Sequence, residues 1–488
     1  MEISKQSPGI TLLGLGPGDA SLLTREAWDV LESLPEITVR TRQHPAIAGM
    51  PPNLQVRSFD ELYEGGESFE AVYEEIVRRV LELGRRPEGV VYGVPGHPFI
   101  AEATGPEIAR RARAEGLPVR VIGGMSFLEP VFTALELDPF PNTALVDALE
   151  LAAAHVPNFP PSASALVAQL YSKAVASDVK LTLMSVYPDE FTVRLVHAAG
   201  TADEEVEELP LHAIDQSERI SLLTALYVPP LGNATSFEAF QEVVAHLRAP
   251  DGCPWDREQT HRSMRSDLLE EAYEVLTALD SEDPQALQEE LGDLLLHIVM
   301  HAQIASEEGE FGMADVLQGI NTKLVHRHPH VFEGLEVEGT HSVLANWERL
   351  KAEERAANGK AEASLLDGIA HALPALVQAM HFQKRVARVG FDWPDIQGVW
   401  DKVGEEIVEV RDAETAEERT QEVGDLLFAV VNLARWLKVD PESALRESNA
   451  RFRERFAYIE ASAREQGRSA ADLSMDEMDR LWEAAKKR

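Results

Sequence analysis

At 488 residues the chain is too long for one hydrophobic core and is expected to hold two to four domains. Its 83 acidic against 45 basic side chains leave a formal charge of −38, which opposes binding to nucleic acid polymers or to anionic membranes. The single cysteine, Cys253, excludes an internal disulfide and a cysteine-built zinc site, and its Gly-Cys-Pro-Trp setting reads as a packed turn. No apolar run reaches eighteen residues and no charged-then-apolar leader opens the chain, so a cytoplasmic protein with no membrane partner is expected.

In chain order, Ile10 to Gly16 reads as a buried strand running into a glycine turn, continued by Pro17-Gly18-Asp19, with Thr24 capping the helix that follows. Two further apolar strands end in glycines: Gly89 to Pro98, which includes Pro95-Gly96-His97, and Val119 to Ser126, which includes Gly123-Gly124. Helical segments at 70–84 and 102–115 lie between strands, which implies an α/β domain with a largely parallel sheet and ligands off the strands' carboxyl ends. The turn Gly14-Leu15-Gly16-Pro17-Gly18 is not the dinucleotide fingerprint, because Pro17 stands where helix entry is required. These turns, with Ala176 to Leu181, Tyr187-Pro188-Asp189 and the strand-like Leu222 to Val228, resemble the tetrapyrrole methylase family over about residues 8–232. The resemblance implies an S-adenosylmethionine cleft at Gly14, Gly16, Pro17, Gly18, Asp19, Pro95, Gly96, His97, Gly124 and Ser126. Methylating members carry Gly-Asp-Pro where this chain has Gly96-His97-Pro98, so ligand binding is implied while methyl transfer stays open.

After the polar break Leu231 to Ser236 the strands stop and amphipathic helices rich in Glu, Leu and Ala take over. Helical spacing puts Glu271 and Glu274 on one face, and Glu290 with Asp293 on one face of the next helix. Between them, Asp280 to Pro284 supplies N-cap residues and a first-turn proline, so the two helices are expected to fold back antiparallel and bring the acids together. Oxygen-only ligands of this kind suit Mg²⁺ or Mn²⁺. The pattern returns as Glu406 and Glu409 followed by Glu422 and Asp425. Basic and aromatic residues return with it: Lys323 and Arg327 are answered by Arg451 and Arg455, and Trp347–Lys351 by Trp482–Lys486. Shared order across about 130 residues indicates duplication. The return of the acids is not perfectly even, since Glu271 to Glu290 is nineteen residues and Glu406 to Glu422 sixteen.

The acids, the Gly252 to Asp256 lead-in and the His328 to Phe332 stretch resemble the MazG family of nucleoside triphosphate pyrophosphohydrolases, as two tandem modules over about 236–488. The resulting expectation is a multidomain chain: a methylase-like α/β domain (1–232) and two all-α, four-helix MazG-type modules (233–360 and 361–488). The resemblance implies a homodimer that converts NTP and water to NMP and diphosphate with Mg²⁺ on the acids. Glu270 and Glu405 are candidates to orient or deprotonate the attacking water, the Lys and Arg residues to hold phosphate charge, and Trp347 and Trp482 to stack on a base. His328-Pro329-His330 has no counterpart in the second copy and is read as a loop rather than a ligand pair. Two other readings remain: a methyltransferase whose helical half is regulatory or dimerising, and a nucleotide-sensing scaffold.

Overall fold

The computed structural model describes residues 8–65, 68–337, 339–357 and 364–487, and its contacts divide the chain into two compact units, 1–258 and 259–488. The expected boundary at 360/361 lies outside the described residues.

The first unit holds two five-stranded sheets. Strands β1 (Ile10–Gly14), β2 (Glu36–Val39), β3 (Gln55–Ser58), β4 (Val90–Val94) and β5 (Val119–Ile122) form an all-parallel sheet in the order β3-β2-β4-β1-β5. Side chains alternate across a strand, so β1 feeds two cores. Ile10 and Leu12 pack with Ile76, Val80, Ile108 and Ala112 from helices α2 (Phe69–Gly84) and α3 (Thr104–Ala114). Leu13 and Leu15 pack the other way with Ala27 and Leu31 of α1 (Arg25–Ser33), whose Thr24 cap accepts from the Ala27 amide at 3.2 Å.

The second sheet departs from the expected parallel pattern. Strands β6 (Thr143–Asp147), β7 (Ser164–Ala168), β8 (Thr192–His197), β9 (Glu205–Pro210) and β10 (Thr224–Val228) take the order β6-β7-β10-β8-β9, and only β6–β7 is parallel. The connection from β8 to β9, residues 198–204, is too short for a crossover helix, so the pair closes as a hairpin. One face packs on α5 (Lys173–Met184) through Val175, Val179 and Leu183, the other on α4 (Leu128–Leu135) through Val131, Phe132 and Leu135.

Helix α6 (Phe237–Arg248) belongs to the first unit, although composition changes before it at 232. The Ser236 hydroxyl at its N-cap accepts from Ser162 at 2.8 Å, and the Leu231 amide donates to Pro161 at 2.8 Å.

The second unit is helical: α7 (Arg265–Asp280), α8 (Pro284–Glu307), α9 (Met313–Arg327), α10 (Gly339–Ala357), α11 (Ala375–Ala387), α12 (Ile396–Asp412), α13 (Ala416–Trp436), α14 (Pro441–Glu465) and α15 (Met475–Ala485). Its framework is two hairpins, α7–α8 and α12–α13, which carry the duplicated acids.

Candidate active site

The first hairpin turns where the sequence punctuates it. Asp283 accepts from the Gln285 and Ala286 amides at 3.0 and 3.2 Å, with Pro284 in the first turn of α8. Glu271 and Glu274 of α7 then meet Glu290 of α8, and one carboxylate oxygen from each lies within 4.8 Å of the others. Asp293 stands outside this three-way group, though its charge reaches Glu271. Desolvation, then Glu274, Asp293 and Glu290, push the Glu271 carboxyl above its ordinary value. Desolvation with Glu274, Glu289 and Asp293 does the same to Glu290.

The second hairpin repeats the group with Glu406, Glu409 and Glu422, again within 4.8 Å and again without Asp425. A Thr415–Glu418 capping box starts α13 and fixes where Glu422 falls. Glu406 is only 3% exposed and its Oε2 has no hydrogen-bond partner, while Lys402 reaches Oε1 of Glu406 at 2.7 Å and of Glu405 at 2.9 Å. Those two carboxylates hold the Lys402 ammonium protonated well above the usual lysine range. Sequence reasoning passes over Lys402. Its signal is the four-residue spacing to Glu406, at a position where the first copy has Asp267.

The basic and aromatic residues make their own contacts. Arg327 lies 5.5 Å from the Trp347 ring centroid and Lys351 4.7 Å from it, so the predicted Trp–Lys pair does meet. The Arg327 guanidinium bonds Glu354 at 2.5 Å, and Lys323, one turn earlier on α9, adds positive charge around that carboxylate. In the second copy Arg455 takes the place over Trp482 at 5.5 Å, Phe452 packs on the same indole at 5.2 Å, and Lys486 pairs with Glu483 at 2.5 Å. Arg451 pairs with Glu447 at 3.3 Å, and Glu270 stays exposed on α7. His328 donates from Nδ1 to the Leu324 carbonyl at 2.7 Å where α9 ends, and the stretch expected as a loop, Pro329–Phe332, forms one helical turn.

In the first unit the glycine turns interlock. A Cβ on Gly14 would stand 2.5 Å from the Gly124 nitrogen and 2.6 Å from the Gly96 carbonyl, so this glycine lets three turns pack on one another. Gly16 and Gly96 exchange backbone hydrogen bonds at 3.2 and 2.7 Å, both with positive φ. Pro17 and Gly18 are buried beside them, while Pro95 and His97 are half-buried. Asp19 and Ser126 serve local turns: Asp19 accepts from Ser21, and the Ser126 hydroxyl donates to Glu129 and accepts from the Leu128 amide. His97 Nδ1 accepts from the Phe99 amide at 3.1 Å.

Residues 259–332 match the model of the MazG nucleotide pyrophosphohydrolase domain, and residues 9–215 that of the Tetrapyrrole (Corrin/Porphyrin) Methylases. The protein YabN of Bacillus subtilis is 43% identical over 486 residues, 98% of each chain. The nucleoside triphosphate pyrophosphohydrolase/pyrophosphatase MazG of Thermotoga maritima is 43% identical over 250 residues, 51% of this chain and 95% of its own. The nucleoside triphosphate pyrophosphohydrolase of Escherichia coli K12 is 45% identical over 251 residues, 50% of this chain and 95% of its own. The domain model ends before the second hairpin, whereas the MazG relatives cover the C-terminal half of the chain.

Both acidic groups fit a hard divalent cation: the converging acceptors are all carboxylate oxygens, and in the second the buried Oε2 of Glu406 lacks a hydrogen-bond partner while Lys402 holds Oε1. A carboxyl whose folded pKa exceeds its unfolded value contributes stability that is lost as pH rises through the folded pKa, and Glu271, Glu290 and Glu409 are all raised. A bound cation removes that repulsion. MgCl₂ is therefore expected to raise Tm more at about pH 8 than at about pH 4, where even an ordinary glutamate is largely protonated. Calorimetric scans at both pH values check this, and equal shifts would contradict it.

Proposed function

The chain belongs to the family of B. subtilis YabN, joining a methylase-type domain to MazG-type helices, and from that premise we propose that its helical unit is a Mg²⁺-dependent nucleoside triphosphate pyrophosphohydrolase. The convergence of Glu271, Glu274 and Glu290, repeated by Glu406, Glu409 and Glu422, carries the proposal. Mg²⁺ or Mn²⁺, when bound, supplies charge neutralisation at phosphate oxygens and a lower pKa for a bound water. The six glutamates hold it, with Asp293 and Asp425 one turn further along the same faces. In the reaction a water oxygen bonds to the α-phosphorus, the bond from that phosphorus to the bridging oxygen breaks, and diphosphate leaves with that oxygen. Glu270 and Glu405 take the water's proton, Glu405 beside the Lys402 ammonium. Lys323, Arg327 and Lys351, and in the second copy Arg451, Arg455 and Lys486, stabilise charge on the departing phosphates. Trp347 and Trp482, each half-buried with a cation nearby, are the residues to stack on a base. The cellular role that fits is nucleotide-pool house-cleaning in the cytoplasm; no described helix is long and apolar enough to cross a membrane.

Two copies of the chain complete the proposed unit. Leu269, Leu291, Leu295 and Ile298 on the first hairpin, and Ile407, Val423, Leu427 and Phe428 on the second, are exposed apolar residues at helical spacing. A second chain burying them gives the homodimer. Sedimentation at micromolar concentration is expected to show a dimer, and a monomer would refute this part.

For the first unit we propose binding of S-adenosylmethionine at the interlocked turns. The space over Gly96 is open, since a Cβ added there would meet no atom nearer than 4.0 Å, and a Cβ on Gly123 would approach only the His97 ring. Calorimetric titration of the full chain with S-adenosylmethionine is expected to give saturable heat, and a flat titration would remove this ligand. For the helical unit, Glu274→Gln and Glu409→Gln should each lower kcat/KM of their own site by about 10²–10³-fold, the scale lost with one transition-state contact. Diphosphate release from NTPs measures it, singly and combined. A double variant that turns over at the wild-type rate would exclude the proposal.

A further inference from the structure

A mixed nitrogen and oxygen cluster stands at the open end of the first hairpin, away from its acidic group. His261 lies in the turn before α7, while Glu308 and Glu310 lie where α8 ends. A ring nitrogen of His261 and one oxygen from each carboxylate lie within 4.8 Å of one another. Neither Glu308 nor Glu310 has a side-chain hydrogen bond or ion pair among the described residues. Their backbone is nonetheless fixed: the Glu308, Gly309 and Glu310 amides donate to Ile304, Ser306 and Ala305 at 3.1, 3.2 and 2.9 Å, and Gly309 takes φ +73°. The carbonyl end of an α-helix also favours a cation there.

The imidazole of His261 is oriented from behind. Its Nδ1 lies 2.8 Å from Nδ1 of His301, on rings stacked 5.0 Å apart at 13°. One proton serves that line, so one ring donates and the other accepts. Where His301 is the acceptor, His261 donates from Nδ1 and Nε2 is its remaining acceptor, the arrangement by which an outer group fixes the tautomer of a metal-binding histidine. A bare lone pair beside two carboxylates is a set of acceptors with no donor. The nearby His297, one turn before His301 and only 7% exposed, leaves its own Nδ1 without a partner. The second hairpin shows that the fold does not require imidazoles here: aligned on the acids, Ile396 stands for His261 and Leu433 for His301.

We propose that His261, Glu308 and Glu310 form a second kind of metal site, for a borderline divalent cation of the Zn²⁺ or Co²⁺ class, with His301 as the positioning residue behind His261. One nitrogen and two carboxylate oxygens leave a position for water and suit such a cation better than Mg²⁺. The site ties the entrance of α7 to the exit of α8. His301 lies eight residues beyond Asp293, about 12 Å along the helix at 1.5 Å per residue, so this cation and one on the acidic group are separate.

The test uses the full chain, freed of metal, carrying Glu274→Gln and Glu409→Gln to weaken the acidic groups. Titration with Zn²⁺ by calorimetry, and with Co²⁺ by its visible d–d absorption, is expected to show one ion per chain. Adding His261→Ala should abolish that ion, and His301→Phe should weaken it about 10–100-fold while leaving the stoichiometry at one. The exposed pair Glu308→Gln and Glu310→Gln keeps the imidazole packing, so its loss of binding with an unchanged metal-free Tm separates ligand removal from misfolding. Zn²⁺ should raise Tm of the background chain and not of this carboxamide variant. Absence of Zn²⁺ and Co²⁺ binding in the background, or binding that survives both His261→Ala and the carboxamide pair, overturns the site.

Discussion

Like-charged carboxylates forced together by helix packing are the constraint on which the helical unit depends. The α7–α8 and α12–α13 hairpins bring three glutamates each within 4.8 Å, and desolvation with the neighbouring charges raises Glu271, Glu290 and Glu409. Helix pairs of this kind have no intrinsic reason to place acids on the contact line, where leucine or alanine would pack without repulsion. Burial compounds the cost at Glu406, whose unpartnered Oε2 could be satisfied only by a donor or a cation. On the proposed reading, a divalent ion that relieves this repulsion couples its binding directly to the rigidity of the hairpin.

The two copies meet this constraint differently. In the second, Lys402 is an internal counter-ion for Glu405 and Glu406, and the loop is three residues shorter between the paired acids. In the first, Asp267 occupies the matching position, adding negative charge instead of removing it. The lead-in turns differ as well. Asp392 accepts from Arg435 at 2.5 Å and from the Trp436 indole at 3.2 Å, fastening the lead-in to α12 to the end of α13. The first copy uses stacked His261 and His301 near the same end of its hairpin. One helical frame thus carries different polar side chains at the same end, because the frame needs only antiparallel helices of adequate length.

Much of the helical site was legible because its chemistry follows a 3.6-residue period and its turns are punctuated locally. Thr24, Asp283 and Pro284 do what their side chains dictate within a few residues of sequence. Features that rest on distant partners were not legible. Antiparallel pairing of β8, β9 and β10 depends on which strands find each other, and the strand periodicity is the same for either direction. Lys402 reads as an ordinary exposed helix lysine until Glu406 is known to be buried. The glycines at 14 and 124 read as a ligand cradle in sequence, yet their first duty is to let one turn seat against another, which only the fold can show. Asp293 and Asp425 share a face with the convergent glutamates but have shorter side chains, and spacing alone does not reveal that they fall outside the three-way contact.

A chain with 83 acidic side chains can hold a triphosphate only where its few cations are kept concentrated and oriented. The Trp347 neighbourhood does this with little solvent exposure: the Arg327 side chain is 14% exposed and Glu354 is 23% exposed, with Lys351 over the same indole. The bidentate Glu354 contact fixes the plane of the guanidinium, and a carboxylate is the natural stand-in for phosphate because both accept two parallel N–H bonds. On the proposed reading, an arriving phosphate exchanges with a carboxylate already at the right geometry, so the arginine loses little orientation freedom on binding.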